Sequence, residues 1–134
     1  MEIRKVMTMS RHHDVTFHSD GRIDITAHVA KTLDLHAGDV INIAEVGSYP
    51  ERYLYVARRA TDTLGRHSCR CLPVKNGGNY LRVFSRSLAG YVLRTGRHPG
   101  PLSLRVGAPV HLSGLGLSLP LIFPTPIPFP TTLQ

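Results

Sequence analysis

The sequence predicts a mainly β domain with short helices, folded as a closed, pseudo-two-fold β-barrel. Three observations carry this reading. Short runs of alternating apolar and polar residues recur between turn residues. Helical spacing is confined to two brief stretches. The order of these elements then occurs twice along the chain, in pseudo-repeats of about residues 12–60 and 67–114. The 134 residues suit one domain, able to bury a core without disulfide or metal support. The barrel is assigned to 1–114 and a Pro-rich apolar tail to 115–134.

In the first half, Val15-Thr16-Phe17-His18 alternates and Ser19-Asp20-Gly21 reads as a tight turn. Ile23-Asp24-Ile25 alternates again, as a half-buried strand should. Thr26 is placed to cap a helix over residues 27–35, with Val29, Ala30 and Leu33 on one face. Ala37-Gly38-Asp39 ends that helix, and Val40-Ile41-Asn42-Ile43 returns as a strand. Gly47-Ser48-Tyr49-Pro50 turns the chain into a further strand, Tyr53-Leu54-Tyr55-Val56.

The second half repeats the order with one extra residue near Phe84 and a loop insertion. Residues 70–74 form a strand, Lys75-Asn76-Gly77-Gly78 a turn, and Tyr80-Leu81-Arg82-Val83 a strand. Ser85 stands where Thr26 stood, and Leu88, Ala89 and Val92 match Val29, Ala30 and Leu33. After a longer connection over 95–101, residues 106–112 parallel 37–43. Two interlocked halves would bury both apolar faces and leave no strand edge open. The tail differs in kind. Pro120, Pro124, Pro126, Pro128 and Pro130 alternate with Leu, Ile and Phe, which reads as an extended or polyproline-II segment rather than a central strand.

Charge is uneven. Residues 1–50 hold five Lys and Arg against seven acids, residues 51–106 hold eleven against two, and residues 107–134 hold none of either. A surface for polyanions therefore belongs to the middle segment. No apolar run approaches the roughly 20 residues of a spanning helix, and no apolar stretch follows the N-terminal charges. Two cysteines make no disulfide framework, so the expected compartment is the cytoplasm and no membrane partner is expected.

The string from Asp20-Gly21-Arg22-Ile23-Asp24-Ile25 through Leu33-Asp34-Leu35-His36-Ala37-Gly38-Asp39-Val40-Ile41 resembles the AbrB/SpoVT (MazE-like) DNA-binding domain. The resemblance covers about 40 residues and lies in the Gly-Arg turn and the Leu-x-Leu-x-x-Gly-Asp spacing. In that family two chains interleave hairpins into one barrel of the cradle-loop kind and bind DNA through arginines. A tandem copy would make the pair within one chain, as a transcriptional-regulator-like protein. The resemblance assigns DNA contact to Arg22 in the turn and Lys31 on the helix. Arg82, Arg86 and Arg94 of the second copy join them, with Arg58 and Arg59 as a flanking basic pair.

Other constellations point less far. His67-x-Cys69-x-Cys71 would put three soft ligands on one strand face but lacks a fourth at metal-site spacing. His12, His13 and Asp14 stand together without a nucleophile motif. Gly47-Ser48, the dipeptide at which double-psi barrel decarboxylases cleave themselves, and Gly77-Gly78 read as turns. Acids after residue 50 are limited to Glu51 and Asp62, so paired carboxylates for hydrolysis are missing. The expectation is a non-enzymatic protein with no metal and no cofactor. A second class stays open, a protein-interaction or self-assembly module that docks its Pro-rich tail on a partner or another copy.

Overall fold

The alternating run at residue 15 becomes β1 (Val15–Phe17), with Val15 and Phe17 fully buried and Thr16 outward. The computed structural model describes residues 14–48, 51–57, 70–76 and 79–124. A tight turn follows, closed by Gly21 N–H donating to the His18 carbonyl at 3.0 Å. Gly21 takes φ +100°, which L side chains rarely adopt. β2 (Arg22–Thr26) returns antiparallel, sending Ile23 and Ile25 inward.

The described residues contain two helices. α1 (Ala27–Leu33) is shorter than its apolar spacing suggests. Asp34 enters the left-handed region at φ 55°, and Leu35 N–H donates to the Ala30 carbonyl at 2.7 Å. Thr26 occupies the N-cap position without capping; its hydroxyl donates to the Asp14 carbonyl at 3.3 Å instead. α2 (Arg86–Thr95) is capped as expected, the Ser85 hydroxyl accepting from Leu88 N–H at 3.1 Å.

The remaining strands are β3 (Ile41–Glu45), β4 (Arg52–Val56), β5 (Leu72–Asn76), β6 (Asn79–Phe84), β7 (Leu102–Val106), β8 (Val110–Leu112) and β9 (Gly116–Ile122). They form one antiparallel, curled sheet in the order β3-β4-β9-β7-β1-β2-β6-β5, with β8 paired to β9. Its concave face holds Phe17, Ile23, Ile25, Ile41, Leu54, Leu81, Leu104 and Leu119, all essentially without solvent contact. The two halves meet at equivalent strands. β2 pairs β6 around Asp24 and Arg82, and β4 pairs β9 around Leu54 and Leu119.

One expectation is met in part and two are corrected. The fold is mainly β, its sheet curled into a half-barrel, and among the described residues edge strands β3 and β5 approach through one bridge, Val40 to Arg70, flanked by Gly38 N–H to the Cys71 carbonyl and Cys71 N–H to the Asp39 carbonyl. The segment 115–134 is not a separate tail at its start, because β9 lies inside the sheet between β4 and the β7–β8 pair. Pro120 is tolerated there because its carbonyl accepts from Gly107 N–H. In an extended strand N–H and C=O share a side, so the missing donor faces the end of β7 rather than β4. Finally, the counterpart of Ile41 is Val106 and not Val110. Ile41 pairs Val56 as Val106 pairs Leu121, and the chain between β7 and β8, residues 107–109, interrupts the ladder. Residues 125–134 lie outside the described residues.

α2 is fastened to the β3–β4 hairpin by polar contacts. The Tyr91 hydroxyl donates to the Glu45 carboxylate and accepts from Arg52 Nε at 2.6 Å. Burial, then the Glu45 contact, push the Tyr91 phenol above its ordinary value near 10, while Arg52 acts in the other direction. A raised folded pKa means the neutral phenol stabilises the fold at pH below about 10, and that contribution is lost as pH climbs through the folded value. Tyr91→Phe should therefore flatten the alkaline decline in stability, at a cost of about 1 kcal/mol at neutral pH. Denaturant midpoints between neutral and strongly alkaline pH check this; equal alkaline slopes in both proteins would refute it. Among the described residues no helix is long and apolar enough to cross a membrane.

Candidate nucleic-acid interface

The convex side of the sheet carries the residues that β2 and β6 turn outward. Ile23 and Ile25 face the core, so Arg22 and Asp24 face out; Leu81 and Val83 face the core, so Tyr80, Arg82 and Phe84 face out. At the Asp24 level the outward row reads Ser103, Thr16, Asp24, Arg82 and Leu72 across five strands. The Thr16 and Ser103 hydroxyls are 2.9 Å apart.

Asp24 is the centre of this row and is only 5% exposed. Arg82 Nε donates to its Oδ1 at 2.7 Å, across 58 residues of sequence. Its other oxygen lies 3.1 Å from His18 Nε2 and 3.4 Å from Arg22 Nε. A carboxylate accepts, so His18 Nε2 donates to it, and Arg22 Nη2 lies 3.2 Å from the same Nε2 and 3.4 Å from Nδ1. One buried carboxylate thus holds two guanidinium groups and an imidazole, an excess of positive charge on the surface above it.

Arg86 stands against the β1–β2 turn. Ser85 N–H donates to the Gly21 carbonyl at 2.8 Å, and a Cβ on Gly21 would stand 2.9 Å from Arg86 Cγ. Any side chain at residue 21 would displace the first turn of α2. Asp20 sits at the same turn, its carboxylate accepting from Arg22 N–H at 3.0 Å. That amide contact holds its pKa below the ordinary carboxylate value.

Of the residues assigned from sequence, the fold brings Arg22 and Arg82 together on Asp24 and sets Arg86 against Gly21 in the adjoining turn. Lys31 is exposed on α1, where it borders a cavity of about 260 Å³ shared with Tyr80, Asp34 and His36 over Ala30 and Leu35. Arg94 is exposed in the last turn of α2, about 12 Å along the helix from Arg86. Arg58 and Arg59 lie outside the described residues, as do His12, His13, His67 and Cys69. Two further arginines of the middle segment are engaged elsewhere: Arg52 Nε donates to the Tyr91 hydroxyl, and Arg70 Nη1 reaches the Gly38 carbonyl at 3.4 Å. Cys71 is buried, and among the described residues no three His, Cys, Asp or Glu cluster as metal ligands.

His18, Asp24, Tyr80 and Phe84 belong to this face but were not singled out by the sequence. Alternation in 79–84 carries the signal for Tyr80 and Phe84, since Leu81 and Val83 must be the inward pair. No local signal marks Asp24, whose burial depends on the distant Arg82. Comparison with protein-family models, curated proteins and solved structures gives no match to this chain.

Proposed function

We propose that the chain binds DNA, contacting phosphates through Arg22, Arg82 and Arg86 on the β2–β6 face, with Lys31 and Arg94 at its margins. The observation that carries this reading is the pair of arginines that β2 and β6 bring onto one buried carboxylate, with Arg86 starting α2 against the adjoining turn. Fixed, clustered guanidinium groups suit phosphate oxygens better than scattered surface lysines do. The fold reading goes with it, a tandem AbrB/SpoVT-like barrel of pseudo-two-fold form. It is supported by the strand order, which is reproduced when β1, β2, β3 and β4 are exchanged with β5, β6, β7 and β9 and the Val40–Arg70 bridge is counted as the closing contact. The alternative, a module that docks residues 115–134 on a partner, loses part of its segment, because residues 116–122 are spent within the chain's own sheet.

The test is anisotropy with random-sequence duplex DNA at several salt concentrations. Binding should fall linearly in a log–log plot. Arg86→Glu with Lys31→Glu changes exposed cations whose side chains make no hydrogen bond or ion pair among the described residues. The double variant should weaken binding about tenfold or more and lower the salt slope by about two. Absence of wild-type binding at low salt, or an unchanged slope, would overturn the proposal.

A further inference from the structure

Two aromatic rings on the outward face of β6 are not accounted for by phosphate contacts or by the core. Phe84 is 57% exposed and Tyr80 47%, while their neighbours Leu81 and Val83 are buried. Singly exposed apolar residues are ordinary. These two share one face, flank Arg82, and each has a cation placed beside it. Arg22 is the cross-strand partner of Phe84, at a separation where facing side chains meet. Lys31 lines the same cavity as Tyr80.

We infer that this face takes an unpaired nucleic-acid strand, with bases stacked on Tyr80 and Phe84 and phosphates on Lys31, Arg82 and Arg22. The inference rests on the phosphate-contacting reading above and deepens it. Alternate residues of a strand are about 6.6 Å apart, so the rings stand about 13 Å from each other with a guanidinium between them. An extended strand spans that distance in a few nucleotides, bringing successive bases over successive platforms. Bases in a duplex are stacked on each other and cannot offer their faces to the rings, so stacking on aromatic side chains favours the unpaired strand. The acids nearby limit rather than cancel this field. Asp24 is buried beneath the two arginines, whereas Asp34 lines the Tyr80 cavity and Asp20 stands at the β1–β2 turn. Leu72, opposite Arg82 on the edge strand and 46% exposed, extends the apolar floor.

The experiment uses the full chain and labelled oligothymidylate, oligouridylate and duplex DNA of about twelve nucleotides. The single strands should bind tenfold or more tightly than the duplex. Tyr80→Leu with Phe84→Leu should erase that preference and leave duplex affinity unchanged. Circular dichroism and the melting transition confirm that the variant folds. The deoxy and ribo arms show which backbone is taken, and a preference for either over duplex supports the inference. Equal affinity for single strand and duplex in the wild type overturns it while sparing the phosphate reading. Failure of every probe to bind at low salt overturns both. A wild-type dimer in sedimentation that becomes monomeric in the double variant, without strand preference, assigns the rings to a second copy and also overturns it.

Discussion

A chain that ends at Leu115 should not fold. The truncation removes β9, which lies between β4 on one side and β8 and β7 on the other, so it divides the sheet rather than trimming an edge. Leu119 is fully buried, Leu121 is 3% exposed and Phe123 7% exposed. Removing three such side chains forfeits about 5–9 kcal/mol of burial, comparable to the whole stability of an ordinary domain. The opened backbone groups of β4 and β7 add to the loss. Thermal and denaturant unfolding of residues 1–115 should therefore show no cooperative transition. Leu119→Ala offers the graded form of the same argument, and should fold with a loss of about 3 kcal/mol. A cooperative transition in the truncated chain would mean that β9 is an accessory to the sheet.

That strand also marks where the sequence stopped being readable. Alternation located β1, β2, β3, β4 and β6 within a residue or two, since alternate apolar side chains such as Val15 and Phe17, Ile23 and Ile25, and Leu81 and Val83 enter the core. Ser85 was recognisable as a cap because capping is local. β9 was concealed by Pro120, whose penalty depends on which way its absent N–H would point, and that is set by Gly107 on another strand. Residues 102–105 of β7 carry no assignment from the sequence, because Leu102-Ser103-Leu104 follows a Gly and Pro stretch and its partner, β1, lies far back in the chain. The break at residues 107–109 then shifted the apparent repeat, so Val110 took the place that belongs to Val106.

The face of β2 and β6 was legible to the same depth. Arginines 22, 82 and 86 were visible as charges and as matches to a turn and a helix start. The convergence of Arg22 and Arg82 was not, because it requires β2 to pair β6 in the register that sets Asp24 opposite Arg82. In sequence Asp24 is simply the polar member of an alternating triplet. The contacts from Arg82, Arg22 and His18 make it the most heavily engaged acid of the face.

Replacing Asp24 should therefore separate stability from binding. In Asp24→Asn the shape persists, but two guanidinium groups lose their counter-charge and Arg82 Nε loses a charged acceptor 2.7 Å away. Removing one partner of a fully buried pair costs about 3–5 kcal/mol. Here the arginine side chains are 22% and 37% exposed and recover some hydration, so the expected loss is nearer 2–3 kcal/mol, or a melting temperature lower by about 10 °C. Affinity for duplex DNA at low salt should move the other way, because the released guanidinium groups turn to phosphate. A double-mutant cycle locates the cause. If the penalty is uncompensated charge, adding Arg82→Met to Asp24→Asn should restore part of the lost stability and reverse the gain in affinity. Additive losses in the cycle, with affinity unchanged in Asp24→Asn, would show that the arginines answer to the fold alone and not to a polyanion.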